Sequence, residues 1–292
     1  MIMKKIILTG CVGFAMLFAS NANAQGFYAE ISGGYGFGLG ENQLGMETYT
    51  DLTGDESYER SINGTLGSGL NLTIAPGYMF TKYIGAELGI NYFLGTETTL
   101  NESSSSNPEL TGYSKTTAYS NQFRIIPSLV LNTGGDKLYG FAKVGFVLPV
   151  TGATFGMFDA EQNMTVTPGE SIAKVDIETK TVVNFSLGFR GSMGIGYQVT
   201  DMISINAEAF YTSLHINANN RVVEKRDIGG VNTLEGLPTY ATETEFVDEL
   251  NSSSNNASTN PANFDSDSPK EEITNPTNFS QIGFQIGVRF NF

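Results

Sequence analysis

The sequence predicts an all-β fold, an eight-stranded antiparallel up-and-down transmembrane β-barrel with long extracellular loops and short periplasmic turns. Three observations carry that prediction. Eight segments alternate apolar with small or polar residues at a period of two, the spacing that sends successive side chains to opposite faces of a strand. The links between these segments alternate short and long. The last segment, Gln281 to Phe292, keeps the alternation to its final residue and closes on an aromatic side chain.

Each strand has one greasy face and one small one. In the first, Phe27, Ala29, Ile31, Tyr35 and Phe37 oppose Tyr28, Glu30, Ser32, Gly34 and Gly36. The second sets Leu66, Leu70, Leu72, Ile74, Tyr78 and Phe80 against Gly67, Gly69, Asn71, Thr73 and Gly77, and the third sets Ile84, Ala86, Leu88, Ile90 and Tyr92 against Gly85, Glu87, Gly89 and Asn91. In the fourth, Phe123, Ile125, Leu129 and Leu131 face away from Gln122, Arg124 and Ser128. The fifth is least regular, with Leu138, Ala142, Val144, Phe146 and Leu148 opposite Tyr139, Phe141, Lys143 and Gly145. The sixth runs from Val183 to Gln198 and opposes Phe189, Met193, Ile195 and Tyr197 to Arg190 and Ser192. The seventh opposes Ile203, Ile205, Ala207 and Tyr211 to Ser204, Asn206, Glu208 and Thr212. The eighth opposes Ile282, Phe284, Ile286, Val288, Phe290 and Phe292 to Gln281, Gln285 and Arg289. An even number of strands suits a closed up-and-down barrel.

Tight links fall around Thr81-Lys82, over 132–137 and at Thr200-Asp201, and long ones near 41–63, 98–114, 151–176 and 217–278. Short turns at one end and long loops at the other place both termini on the periplasmic side. The alternative is a soluble lipocalin-like barrel, in which the apolar face points inward. The small face argues against it, because Gly and Ser with isolated charges have too little bulk to cover a soluble surface but suit a narrow lumen. The bulky face also carries aromatics near the strand ends, at Phe27, Phe80, Tyr83, Tyr197 and Phe292, where an interfacial girdle belongs.

The N-terminus reads as a secretory signal peptide over residues 1–24. MIMKK is basic, IILTGCVGFAMLFA is apolar, and Ala22-Asn23-Ala24 is a small-residue cleavage site, so the mature domain is 25–292. Leu8-Thr9-Gly10-Cys11 resembles a lipoprotein box but leaves only a stub of apolar chain before it. Cleavage removes the only Cys, and with it disulfide, thiol and Cys-metal chemistry. It also removes Lys4 and Lys5, leaving 14 basic residues against 30 acidic ones and a formal charge of −16. So acidic a chain is repelled by phosphate backbones, which excludes nucleic acid as a partner.

The final strand resembles the C-terminal strand of Gram-negative outer-membrane proteins. There, alternating apolar residues ending in Phe form the signal read by the barrel-assembly machinery, and Phe290 and Phe292 stand at the matching positions. The whole mature chain resembles, as architecture, the small eight-stranded family that includes OmpX and the OmpA membrane domain. No periplasmic OmpA-type domain follows the last strand. The resemblance implies an integral outer-membrane protein, monomeric, in contact with outer-membrane lipid and lipopolysaccharide, without cofactor or metal.

Seven charges fall on the lumen face: Glu30, Glu87, Arg124, Lys143, Arg190, Glu208 and Arg289. Counted from the periplasmic end, they occupy one band some ~10 to 20 Å tall. Neighbouring strands offer Glu30 with Arg289, Glu87 with Arg124, and Glu208 with Arg190, with Lys143 sharing a carboxylate. Unpaired charges in so narrow a space are costly, so pairing and a plugged lumen are the expectation. A small charged pore is the alternative. A second alternative is a lipid A-modifying enzyme, because Ser213 and the single His215 share the lipid-facing side and some eight-stranded lipid A deacylases resemble that placement. No carboxylate is in view to orient the imidazole, so the expectation is no catalytic site.

The outer loops are acidic. Within 217–278, NSSSNNASTNPAN reads as a disordered polar tract. RVVEKRDIGGVNTLEG reads as a hairpin turning at Ile228-Gly229-Gly230-Val231. Such loops serve as a surface shield or as an adhesive surface for an extracellular ligand, with Asp265 and Asp267 as candidates for bridging a divalent cation. Gly33 to Gly40 lacks the spacing and the Lys of a phosphate loop, so its glycines make room in the lumen.

Overall fold

The computed structural model describes residues 26–40, 42–51, 57–105, 113–162, 173–262 and 264–292. The signal-peptide segment, Cys11 included, lies outside them. β1 (Gly26–Gly38) leads into a hairpin of β2 (Gln43–Thr50) and β3 (Tyr58–Asn63). A tight turn joins β4 (Gly69–Met79) to β5 (Ile84–Gly95), after which β6 (Thr98–Ser105) precedes the long β7 (Tyr113–Asn132). A second turn leads to β8 (Leu138–Gln162), followed by β9 (Ala173–Val183) and β10 (Gly188–Gln198), and a third turn leads to β11 (Ile203–Ser213). The largest outer segment holds β12 (His215–Ile216), β13 (Ala218–Ile228), β14 (Val231–Asn232), the one-turn α1 (Thr239–Thr242), β15 (Glu243–Val247), β16 (Lys270–Ile273) and β17 (Thr277–Asn278). β18 (Gln281–Asn291) completes the chain.

Eight of these strands close on themselves in the order β1-β4-β5-β7-β8-β10-β11-β18, and β18 pairs back with β1. Every pairing in the ring is antiparallel. The predicted barrel is therefore present, strand for strand. The faces are inverted relative to a soluble protein: Asn71, Asn91, Gln122 and Gln281 are wholly buried inside, while Ile286 and Phe284 outside are each 66% exposed.

The short turns are built locally. The Thr81 hydroxyl accepts from the backbone N–H of Tyr83 and Ile84, both at 3.1 Å, and the Thr200 hydroxyl accepts in the same way from Met202 and Ile203. These are Ser/Thr turns, in which a side-chain oxygen replaces the backbone acceptor. The third turn uses Asn132, whose Oδ1 accepts from Gly134 N–H at 2.8 Å, with Gly134 in the left-handed region at φ 74°.

The long links carry sheet as well as loop. β7 and β8 run on past the barrel as one ladder, pairing Tyr113 with Glu161 at its far end. On one side they carry β9, β13, β15 and β16, and on the other β6, β2 and β3. Among the described residues, the segments expected as loops near 98–114 and 151–176 are thus sheet throughout, that near 41–63 is mostly the β2–β3 hairpin, and that near 217–278 is part sheet, its strands β13 to β17 joined by turns and one helical turn; 41, 52–56, 106–112, 163–172 and 263 lie outside the described residues. β8 absorbs Pro149 and Gly152 at a bulge that sets Arg124 opposite Pro149 and Phe123 opposite Thr151. The β13–β14 hairpin turns where expected: Ile228 pairs with Val231, and Gly229 and Gly230 take φ of 61° and 80°, as a type I′ turn requires.

The tract expected to be disordered is also built. Asn255 Nδ2 donates to the carbonyls of Asp265 (2.9 Å) and Pro269 (2.8 Å), and Asn256 Nδ2 donates to that of Glu271 (2.7 Å). Asn side chains here stand in for missing backbone partners, a device that composition alone does not reveal. The sixth predicted strand is split as well. β9 ends at Val183 and β10 starts at Gly188, with 184–187 in neither.

Candidate functional site

The barrel interior is layered. Nearest the termini, Glu30 stands opposite Arg289 in register, and Arg289 Nη2 reaches its Oε2 at 2.9 Å. Lys143 is the hub: its Nζ lies 3.2 Å from Glu30, 3.0 Å from Glu87 and 3.4 Å from Glu208. Arg190 completes the cluster, 3.8 Å from Glu208 and donating to Gln285 Oε1 at 2.7 Å. Neutral groups satisfy most of the remaining lone pairs, although Glu208 Oε2, 3.4 Å from Lys143 Nζ, is buried without a hydrogen bond. Tyr28 donates to Glu87 Oε2 and Asn206 Nδ2 to Glu30 Oε2, both at 2.9 Å, while Tyr139 donates to Asn206 Oδ1. A buried ionic cluster is tolerable only when its hydrogen-bonding capacity is met in this way.

Six of the seven predicted charges form this network, and the Glu30–Arg289 and Glu208–Arg190 pairings are as expected. The Glu87–Arg124 pair does not form. Arg124 stands opposite Asn91, four residues farther along β5 than Glu87, which is about 13 Å along a strand. That offset is about 10 Å in height at a tilt near 40°, within the expected band, but it sets Arg124 apart from the carboxylates, in a layer of amides. Its Nε donates to Gln122 Oε1 at 2.9 Å, and the Gln281 amide oxygen, turned toward it, accepts from Nη1 at 3.1 Å. Each lumen guanidinium also lies over an aromatic ring: Arg289 on Tyr28 at 4.1 Å, Arg190 on Phe210 at 3.9 Å and Arg124 on Phe93 at 4.0 Å. Phe93 and Phe210 were missed from sequence, although each sits two residues beyond a recognised inward residue, Asn91 and Glu208.

Above the amides lies an apolar floor. Leu66, Phe93, Val147, Leu214, Ile216 and Phe279 pack together, all but fully buried. The stretch just before β18 crosses the barrel mouth to make it. β17 pairs with β12, Phe279 N–H donates to Leu214 O at 2.8 Å, and Leu66 N–H donates to Asn278 O at 3.0 Å. Below this floor the charged layer leaves a cavity of about 20 Å³ between Glu87, Lys143, Arg190 and Glu208, roughly room for one water. Above it opens a vestibule of about 480 Å³, walled by the outer extensions of the sheet.

The other sequence candidates lie apart. His215 pairs through its backbone with Asn278 and is exposed, and no hydrogen bond joins it to Ser213 among the described residues. Asp265 uses its carboxylate within its own turn, accepting from Asp267 N–H at 3.0 Å and from the Ser268 hydroxyl at 2.6 Å. The Ser268 hydroxyl and then the Asp267 N–H hold that carboxyl below the usual range. Phe290 and Phe292 face outward, and Phe292 is 77% exposed. Gly36 makes room as expected, because a Cβ there would strike the Gln281 amide.

No family model matches the chain, and no curated protein matches it. Among solved structures it is similar to Neisserial surface protein A, at 11% identity over 92% of this chain and 100% of that one, with a TM-score of 0.36. It is also similar to the outer membrane protein OprG from Pseudomonas aeruginosa, at 12% identity over 93% and 98% of the two chains, with a TM-score of 0.43.

Proposed function

We propose that this chain is an integral outer-membrane barrel, closed to solutes along its axis, whose outer sheet meets the cell's surroundings as a shield or an adhesive surface. The observation that carries this reading is the stacking of a paired ionic layer, an amide layer and an apolar floor inside a wall whose outward residues are apolar. An apolar exterior around a polar interior is the arrangement a lipid solvent selects. Lipid and lipopolysaccharide then surround the wall, the long strands project outside the cell, and the termini lie in the periplasm. The role is non-catalytic and the barrel is a monomer on this reading.

Single-channel recording in a planar bilayer tests it. The refolded wild-type protein is expected to be electrically silent, and so is the Glu87→Gln variant, because floor and ionic layer block the axis independently. Steady currents in wild type, altered by Glu87→Gln, would make the protein a narrow channel, the reading it displaces.

The terminal aromatics give a second test. Phe292 N–H bonds the carbonyl of Phe27 at 2.9 Å, yet its ring contributes exposed surface, so Phe292→Ala should leave the stability of refolded protein nearly unchanged. The amount of folded barrel recovered from outer membranes of expressing cells is expected to fall, as loss of an assembly signal predicts. Equal recovery of variant and wild type would remove Phe292 from that role.

A further inference from the structure

The barrel wall contains a stretch with no ladder. β8 pairs with β10 as far as Val147 opposite Gly188, and with β9 from Ala153 opposite Val182. The two ladders share one register, so 148–152 ought to face 183–187 residue for residue, yet neither ladder includes them. Pro149, which has no N–H to give, sits within the inner edge of the gap. On the other edge, Asn184 N–H donates to the carbonyl of Asn217 (2.8 Å), and Phe185 N–H to the Asn184 side chain (2.8 Å). Val150, Phe185 and Leu187 turn apolar side chains outward here, each more than half exposed.

The height of the gap is informative. The 11 residues of β10 rise about 28 Å at a strand tilt near 40°. The gap therefore opens at the outer edge of an apolar band of about 25 Å, where headgroups and water can reach its unpaired backbone. Immediately inside is the vestibule: Thr154, Thr181 and Val183 flank the gap and line the vestibule, and so does Asn217, which holds Asn184.

The vestibule has the size of a small-molecule site. Its floor is apolar at Leu66, Ile216 and Phe279, and its walls carry the hydroxyls of Thr116, Thr154, Thr179 and Thr181. Arg221, the one charged residue lining it, is bound at 2.9 Å to Glu272, so the site offers no net charge to an ionic head. We propose that the vestibule binds a neutral amphiphile, tail on the floor and head against the threonines, that enters sideways from the outer leaflet between 148–152 and 184–187. The proposal rests on the membrane-barrel reading above.

The test is photolabelling of the protein in lipid vesicles with a diazirine-bearing monoacylglycerol, followed by mass-spectrometric mapping of the adducts. Two variants accompany wild type. Val150→Cys with Phe185→Cys places a closable disulfide across the gap at positions the continued register sets opposite each other, and Thr181→Phe fills the vestibule from its wall. Adducts on Ile216 and Phe279 are expected in wild type. They should fall to background in the oxidised Cys pair and return on reduction, and they should be lost in Thr181→Phe whatever the redox state. Floor adducts that persist with the disulfide closed would overturn lateral entry, and floor adducts undiminished by Thr181→Phe would overturn the site. Adducts confined to the outer belt, on residues such as Leu72 and Ile286, would also remove the vestibule while leaving the membrane barrel intact. Absence of adducts even from that belt would instead count against the membrane reading itself.

Discussion

Lys143→Met is expected to destabilise the barrel by about 3–5 kcal/mol, the cost of breaking a buried ionic arrangement from one side. Lys143 holds three carboxylates within 3.4 Å, those of Glu30, Glu87 and Glu208, and its own side chain is 8% exposed. Without it, Glu30 keeps Arg289 and Asn206, and Glu208 keeps the longer 3.8 Å contact to Arg190. Glu87 keeps only the Tyr28 hydroxyl as a hydrogen-bond partner. Glu87→Gln should cost much less, because it leaves Lys143 with two carboxylates and removes the charge that would otherwise be stranded. The ordering also predicts coupling: in the Glu87→Gln background, Lys143→Met should lose much of its effect, since the one carboxylate it would leave without a cationic partner is already neutral. Urea unfolding in lipid vesicles, followed by heat-modifiable gel mobility, measures all three variants and the double. A cost under about 1 kcal/mol for Lys143→Met would mean that water or the neutral layer satisfies the carboxylates without the lysine.

The contrast between what this sequence discloses and what it conceals has a simple physical origin. Inward and outward positions are legible because side-chain direction along a strand follows from the backbone alone, which is why Glu30, Lys143 and Arg289 could be assigned to the lumen without a structure. Height is not legible, because it depends on how far each strand is staggered against the next. Arg124 and Glu87 lie on adjacent strands and both point inward, yet the register sets Arg124 beside Asn91, and the guanidinium finds Gln122 and Phe93 instead of a carboxylate. The apolar floor was hidden for a different reason. Leu66 reads in sequence as an outward residue of the second strand, a placement the structure corrects because it precedes β4 and turns into the barrel mouth, while Leu214 and Phe279 look like the fringes of loops; only closure of the ring brings the three together. The outer sheet was concealed by its polar composition. Thr, Asn and Ser were read as loop residues, but on the proposed membrane reading a strand beyond the bilayer has no lipid to face and needs no apolar side.

Gly77→Ala is expected to cost about 3 kcal/mol, a large effect for one methyl group, because it evicts an aromatic ring from the ionic layer. Tyr28 stands directly opposite Gly77, and its ring lies across the glycine, so that a Cβ there would land on the ring carbon Cζ. Tyr139 and Gly196 repeat the device on the other side of the barrel, with the same register relation and the same ring carbon over the missing Cβ. In both places the glycine lets a tyrosine lie flat against the wall and carry its hydroxyl to a group that needs it, Glu87 in one case and Asn206 in the other. Displacing Tyr28 would strip Glu87 of a hydrogen bond and Arg289 of the ring it stacks on. The mechanism is separable from a backbone effect by a double-mutant cycle: once Tyr28 is Ala, the methyl at position 77 has nothing to strike, and its cost should shrink to a few tenths of a kcal/mol. An undiminished cost in the Tyr28→Ala background would place the penalty in the strand itself. If Gly196→Ala behaves in parallel with Tyr139→Ala, the two tyrosine–glycine pairs act as matched clamps that hold the carboxylates in position around Lys143, and the closed lumen depends on glycines as much as on charges.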